Sequence, residues 1–328
     1  MSPPPTFDDV AAAARRLDGV AVRTPLLENA RVNAGLGGRL FIKAECLQRT
    51  GSFKIRGAYN FLASMSEADR RKGAVGWSSG NHAQGLAEAA RLMGMKATIV
   101  MPADAPALKV ANTRASGAEI VLYDRVKESR EEIGTRIAQK TGATIVPPYD
   151  HPWILTGQGT AGIEIAEQAK ALGVVLDAVA APCSGGGLAT GIALGVKGIS
   201  PSTTVHAGEP AGFDDLARSL KSGKKEKNEK LSGSICDALL APTPGDVTFP
   251  LAQKVLGPGL VVTDDEVLDA MEVAFREFKL VVEPGGAVAL AAALTGKLPV
   301  KGRNVAVVCS GGNVDRATFK RALARHKA

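Results

Sequence analysis

Four short stretches of the 328-residue chain carry residue types and spacings suited to chemistry on a small anionic ligand. Residues 184–191 read SGGGLATG and directly follow the apolar run DAVAAP. Consecutive glycines let backbone N–H groups approach a ligand closely, and a following helix offers an electropositive N-terminus, so this stretch suits a phosphate. It matches neither common nucleotide fingerprint. Counted from Gly185 as G-x-G-x-x-G, its last position is Thr190, and no lysine follows as in a P-loop. Alone, it reads equally well as a plain strand-to-helix turn. Residues 52–58, SFKIRGA, set Lys54 between an aromatic and an apolar residue. A snorkelling surface lysine fits that pattern, and so does a desolvated amine of lowered pKa, which Schiff-base chemistry needs. Residues 78–85, SSGNHAQG, place small residues, the Asn81 amide and helix-start N–H groups where a carboxylate can bind. Helix capping by Ser78 or Ser79 is the plainer account. Residues 310–313, SGGN, end an apolar strand, where open α/β sheets bind ligands.

The elements that must hold these stretches follow a regular rhythm. Residues 7–17 have helical apolar spacing, and residues 39–44 alternate like a strand. From residue 73 onward, strand-like runs at 74–77, 97–101, 119–123 and 144–146 alternate with helix-like runs at 81–93, 107–116 and 125–140. Proline and glycine punctuate residues 147–159, and a second alternating series follows, with strands at 178–181, 204–207, 260–263 and 304–308 and a helix at 264–279. Such alternation implies βαβ units, parallel sheets and helices on both faces. The expected fold class is α/β: two open, twisted parallel-sheet lobes flanked by helices, with a ligand cleft between them.

The bulk composition narrows the partners. Aromatic residues are only 4% of the chain, which leaves little for base stacking. The net charge of +7 comes partly from residues 221–230, KSGKKEKNEK, read as a solvated surface loop, so no nucleic acid is expected. Cys46, Cys183, Cys236 and Cys309 form no CxxC pair, and with four histidines a zinc cage is not expected. Free thiols fit a reducing compartment. The start, MSPPPTFDDV, lacks the basic-then-apolar pattern of a secretory signal, and no uncharged apolar run reaches membrane-spanning length. A cytoplasmic protein with no membrane partner is expected. His151, His206 and His326 have no evident partner, and Cys183 and Cys309 read as small buried hydrophobes.

In this order, SFKIRGA, SSGNHAQG, a glycine-rich loop and a C-terminal SGGN, the motifs resemble the serine/threonine dehydratase and serine racemase family. Its members are pyridoxal-phosphate (PLP) enzymes of the tryptophan-synthase-β fold type, PLP fold type II. The resemblance runs from about Thr6 to the last helix. It implies a large PLP-binding domain, 1–72 and 149–328, a small mobile α/β domain, 73–148, and a homodimer. It leaves no room for the regulatory domain of biosynthetic threonine dehydratases. Lys54 would bind the cofactor covalently and then take the Cα proton. Phe53 would pack on the pyridine ring, and Asn81 would bond its 3-hydroxyl. Ser184, Gly185, Gly186, Gly187 and Leu188 would cradle the phosphate, with Ser184 where family loops often have a first glycine. Ser310 would face the pyridine nitrogen without forcing its protonation, which favours rapid β-hydroxyl loss over transamination. Ser78, Ser79, Gly80, Asn81 and His82 would hold the substrate carboxylate, with His82 using its backbone N–H.

The activity so implied is elimination of water and ammonia from a 3-hydroxy amino acid such as L-threonine or L-serine. Within EPAGFDD, Glu209, the Phe213 carbonyl and Asp215 would hold magnesium, manganese or calcium, hard cations that take oxygen ligands; the plainer reading is a solvated acidic turn. Ser79 occupies the position that serine racemases use as acid/base opposite the lysine, and hydroxyaspartate dehydratases also carry it. Racemisation and hydroxyaspartate dehydration are therefore the neighbouring readings, and CDALLAPTPGD at 236–246 departs from the racemase pattern. A β-replacement enzyme ranks below them. A catalytically silent binding protein conflicts with the joint presence of Lys54, Asn81, Ser310 and the glycine loop.

Overall fold

The computed structural model describes residues 3–105 and 107–325, with the backbone alone for 107–109 and 112. His326 lies outside the described residues. Ten strands are β1 (Leu26–Glu28), β2 (Arg39–Lys43), β3 (Ala74–Trp77), β4 (Ala97–Pro102), β5 (Glu119–Tyr123), β6 (Thr144–Ile145), β7 (Ala178–Pro182), β8 (Thr204–Pro210), β9 (Leu260–Val262) and β10 (Asn304–Val308). They form a six-stranded sheet ordered β1-β2-β10-β7-β8-β9 and a four-stranded sheet ordered β5-β4-β3-β6. All pairs are parallel except β1 with β2, so the larger sheet is mixed at one edge. That edge strand is three residues long and does not stand out in the sequence.

Strands in the middle of the larger sheet read as continuous small apolar runs, AVAAP in β7 and NVAVV in β10. A strand covered on both faces has no reason to alternate. Successive side chains accordingly enter two different cores. Leu40, Ile42, Ala178, Ala180, Val305 and Val307 face one, and Phe41, Val179, Ala181, Ala306 and Val308 face the other. A third core lies on the four-stranded sheet, and the helix Lys54–Ser64 contributes Ile55, Ala58, Phe61 and Leu62 to it.

Neither glycine of residues 147–159 breaks the chain as their spacing suggested. Pro152–Ala171 is one 20-residue helix, opened by Pro152 and capped by the His151 ring, whose Nδ1 accepts the Trp153 N–H at 3.1 Å. Gly157, Gly159 and Gly162 lie inside it because its neighbours come backbone to backbone. A Cβ on Gly159 would stand 2.6 Å from the Gly191 carbonyl oxygen, and one on Gly162 would stand 2.4 Å from that of Ile192. From the facing helix, Gly187–Ile199, Gly191 and Gly195 make the same approach, 2.3 Å from the carbonyls of Leu155 and Gly159. Here glycine serves packing, not turning.

A buried ionic cluster fixes the helix that starts at Lys54. Arg56 is fully buried and donates Nε and Nη2 to Glu45 at 2.8 Å and Nη1 to Glu164 at 2.7 Å. Lys43, also fully buried, donates to Glu164 at 2.5 Å, to Gln168 at 2.9 Å and to the Thr24 carbonyl at 2.7 Å. Burial works against the charge on Arg56, but Glu45 and Glu164 outweigh it and hold its pKa above the ordinary value. Replacing Arg56 with alanine would leave Glu45 buried without its cation, and breaking such a pair costs about 3–5 kcal/mol. Arg56→Ala is therefore expected to lower the free energy of unfolding measured in urea by that much, and a loss under ~1 kcal/mol would show that the cluster can relax.

Candidate active site

The four motifs, far apart in sequence, meet around Lys54. The chain enters from Thr50, one of two non-glycine residues with positive φ (62°) among those described. A β-branched residue in that region is strained, so surrounding contacts must hold it. They do: Asn313 Nδ2 donates to the Thr50 carbonyl at 2.8 Å, Ser52 bridges Gly311, and the Phe53 N–H donates to the Ser310 carbonyl at 3.1 Å. Residues 52–53 and the SGGN turn are thus sewn together at the end of β10.

The SSGNHAQG turn approaches from the four-stranded sheet. Ser78, Ser79 and Gly80 leave β3 half-buried, and Asn81 opens the helix Asn81–Leu92. Gly85 lets that helix close on Lys54, since a Cβ there would stand 3.1 Å from Lys54 Cβ. The Asn81 amide has both ends engaged. Its Nδ2 donates to Glu283 Oε1 at 2.5 Å, and its Oδ1 accepts from Asn313 Nδ2 at 2.8 Å. His82 is 4% exposed and its Nε2 donates to the Val146 carbonyl at 3.0 Å. Burial and then the Lys54 charge push its pKa down to about 3, which keeps the ring neutral and leaves it no role as a proton acceptor through Nε2.

The Lys54 amine donates to the Pro148 carbonyl at 2.9 Å and lies 5.1 Å from the Phe53 ring centroid. Burial lowers its pKa to about 8, with the Glu283 carboxylate pulling the other way. Beside Pro148, the Tyr149 ring lies against the glycine loop; a Cβ on Gly185 would be 2.1 Å from its Cε2. Gly186 adopts φ 98°, a left-handed conformation that suits glycine, and aims the chain into the helix Gly187–Ile199. That helix has no capping side chain. Among the described residues, no hydrogen bond engages the N–H groups of Gly185, Gly187 and Leu188. Free N–H groups at a helix N-terminus are an anion site.

Glu209 and Asp215 are both fully buried at the end of β8 and the start of the helix Asp215–Ser222. Glu209 accepts the Leu216 and Ala217 N–H groups at 3.0 and 2.7 Å. Burial, and then Asp215, raises its pKa well above the carboxylate range; burial likewise raises Asp215 to about 6. Phe213 between them is 4% exposed. Among the described residues, no three His, Cys, Asp or Glu side chains group as a metal site.

Four buried side-chain polar atoms lack a partner among the described residues: Thr50 Oγ1, Ser52 Oγ, Thr190 Oγ1 and Asp215 Oδ2. Buried polar atoms are nearly always hydrogen-bonded. All four fall within or beside the stretches just described, as expected where a bound group completes the bonding.

Several participants were not picked out in the sequence. Glu283 had a signal: it is a lone charge in an apolar run, VVEPGGAVAL, and a charge in such a run needs a partner. Tyr149 and the Pro148 carbonyl had none. Residues 221–230 are exposed or half-exposed except Asn228, which is buried and donates to Asp215 Oδ1 at 2.6 Å. His206, read as unpartnered, donates Nδ1 to the Pro258 carbonyl at 2.8 Å. The four cysteines are buried and unpaired, and burial raises the pKa of each, to about 12 for Cys46 and Cys236 and well above normal for Cys183 and Cys309. Among the described residues no helix is long and apolar enough to cross a membrane.

A mixed α/β architecture, a half-buried lysine of lowered pKa and an uncapped glycine loop define a class, the enzymes that bind a phosphorylated aldehyde through an amine. The model of the pyridoxal-phosphate dependent enzyme family matches residues 17–311, and the chain belongs to that family. It is 44% identical to L-threo-3-hydroxyaspartate ammonia-lyase of Pseudomonas sp. over 310 residues, covering 94% of this chain and 96% of that one. Identity to L-threonine ammonia-lyase of Thermotoga maritima is 40%, covering 94% and 76%. The fold superposes on maize serine racemase with a TM-score of 0.91, at 37% identity and 99% and 98% coverage. The site fits pyridoxal phosphate, with an amine of lowered pKa for the aldehyde and unpaired N–H groups for the phosphate.

Attachment of pyridoxal phosphate to the cofactor-free chain needs the neutral amine, so its rate should rise with pH and level off above about 8. Glu283→Gln removes the carboxylate that favours the charged amine, so the midpoint should move to lower pH. A wild-type midpoint near the ordinary lysine value of 10.5 would count against a desolvated Lys54.

Proposed function

We propose that the chain removes water and ammonia from a 3-hydroxy amino acid such as L-threonine or L-serine, yielding a 2-oxo acid. The observation that carries this reading is Lys54, a half-buried lysine whose amine has a lowered pKa, between the four motif stretches, in a chain whose relatives include two ammonia-lyases. Bound pyridoxal phosphate supplies the electron sink that makes the substrate Cα–H acidic. The N–H groups of Ser184, Gly185, Gly186, Gly187 and Leu188 hold its phosphate, Phe53 packs on the ring, Asn81 bonds the 3-hydroxyl, and the Ser310 hydroxyl faces the ring nitrogen. Glu283 and Asn313 fix the orientation of the Asn81 amide. Residues 78–82 orient the substrate carboxylate through a hydroxyl, an amide and helix-start N–H groups.

Lys54 accepts the Cα proton. The Cβ–O bond breaks, the departing hydroxyl takes up a proton in balance with the one Lys54 accepted and leaves as water, and the released enamine tautomerises and is hydrolysed, taking up water as it gives ammonia. No oxidant or reductant is consumed. Residues 73–148 are read as the small lobe that moves against 1–72 and 149–328, excluding water when substrate is held. Two copies of the chain form the working assembly in this reading.

Glu209, the Phe213 carbonyl and Asp215 are proposed to hold magnesium, manganese or calcium. Two buried carboxylates side by side, one with an unpaired oxygen, call for a hard cation. Binding to the folded state alone stabilises by about 2.7 kcal/mol at a hundredfold excess over Kd. Removal of divalent ions with EDTA is thus expected to lower the melting temperature and magnesium to restore it, whereas a melt indifferent to both would dismiss the cation.

Racemisation is the second reading. It is favoured by Ser79, whose hydroxyl has no hydrogen bond among the described residues, and by the likeness to maize serine racemase. The deciding experiment incubates the holoenzyme and magnesium with L-threonine, L-serine and L-threo-3-hydroxyaspartate, following 2-oxo acid and enantiomer together. Dominant 2-oxo acid, reduced at least ~10²-fold in Lys54→Ala, supports the lyase and names its substrate. Dominant enantiomer, abolished by Ser79→Ala, transfers the assignment to racemisation.

A further inference from the structure

We propose that Ser184 and Asn228 are positioning residues that transmit the state of the Glu209–Asp215 site to the phosphate loop. The inference rests on the cofactor and cation readings above and adds to them a coupling between the two sites. Asn228 is 9% exposed within an otherwise open, lysine-rich stretch. Its amide cannot turn: Nδ2 donates to Asp215 Oδ1 at 2.6 Å and to the Ala241 carbonyl at 2.8 Å, and Oδ1 accepts from Arg218 Nη2 at 2.7 Å. Its own N–H donates to the Pro242 carbonyl at 2.8 Å. Through its side chain and main chain together, Asn228 therefore joins an acidic ligand candidate to the backbone at 241–242.

That backbone leads directly to the cofactor loop. The Ala241 N–H donates to Ser184 Oγ at 3.1 Å. Of residues 184–187, SGGG, only Ser184 has a side chain able to make such a bond. The path Asp215–Asn228–Ala241–Ser184 is thus continuous, and a glycine at its last position would cut it. Other contacts anchor the same segment independently. The Thr243 hydroxyl donates to the Glu226 carbonyl at 2.9 Å, Lys225 pairs with Asp246 at 2.5 Å, and the Gly245 N–H and Thr248 hydroxyl donate to the Gly185 carbonyl at 3.1 and 2.6 Å. Loss of the Ser184 bond leaves the segment attached but no longer linked to that loop side chain.

A cation drawn to Asp215 Oδ2 repositions the carboxylate whose other oxygen Asn228 holds. With four hydrogen bonds fixing Asn228, the shift passes to Ala241 and then to the start of the phosphate loop. Coupling between sites runs through such bonded networks and is reciprocal: the cation tightens the cofactor by the factor by which the cofactor tightens the cation.

The test uses holoenzyme, magnesium chloride and three variants. Magnesium binding is followed by calorimetry, and the cofactor by its emission and its rate of loss on dilution. In the wild type, saturating magnesium should change the emission and slow cofactor loss about 5–10-fold, at the low end of measured couplings. Ser184→Ala and Ser184→Gly should still bind magnesium but lose both responses, and Ser184→Thr, which keeps a hydroxyl, should restore them. A merely structural role for Ser184 would shift the melting temperature without abolishing the magnesium response. Full responses in Ser184→Ala overturn the relay. A wild type that binds magnesium with no change at the cofactor overturns the relay and leaves the cation site standing, whereas absence of magnesium binding overturns both.

Discussion

Two positive and two negative side chains share one largely buried site beneath the helix Lys54–Ser64, and the rest of the molecule is arranged around them. A buried ion pair contributes little net stability over apolar packing, yet half of one is very costly. The cluster therefore acts as a constraint of register. Lys43 on β2, Glu45 in the turn after it, Arg56 on the helix and Glu164 on the long helix Pro152–Ala171 must all be present in one arrangement. Lys54 is two residues from Arg56 and inherits that arrangement. From the long helix the constraint passes on through glycine contacts to Gly187–Ile199, whose N-terminus follows the glycine loop. The amine and the anion site, more than a hundred residues apart in sequence, are spaced by backbone surfaces rather than by flexible side chains.

Burial has one electrostatic consequence expressed with two signs. It disfavours charge wherever charge is placed. On Lys54 it works toward a neutral nucleophile, on His82 toward a neutral ring, and on Glu209 and Asp215 toward protonated acids unless a cation is supplied. Glu283 moderates the first of these, and it also holds the Asn81 amide in place. One carboxylate thus tunes the amine and orients a neighbour.

Much of the candidate site was legible in the sequence because turns at strand ends that can bind ligands use few residue types. SFKIRGA, SSGNHAQG, SGGGLATG and SGGN each announce a turn and a donor set, and their order is specific. The alternation of strands and helices was legible because parallel sheets covered on both faces force it. Less visible was anything set by long-range contact. The glycines of the helix Pro152–Ala171 resemble turn residues until the facing helix is present, since a gap for close packing and a gap for a turn are written with the same letter. Residues 125–129, read as the start of a helix, lie before the Ser129 cap that opens Arg130–Thr141. The cluster at Arg56 needs four positions to converge, and no local pattern encodes that. Asn228 was hidden by composition: one buried amide in a run of lysines does not alter its average.

The four thiols have a chemical consequence for a protein built to handle an aldehyde. A carbonyl carbon does not distinguish an amine from a thiolate by design; it reacts with whichever nucleophile reaches it first. Cys183 immediately precedes the glycine loop and Cys309 immediately precedes Ser310, so both lie next to the cradle. Both are almost wholly shielded and held in the unreactive protonated form. Sulfur is thereby removed from the competition for a carbonyl.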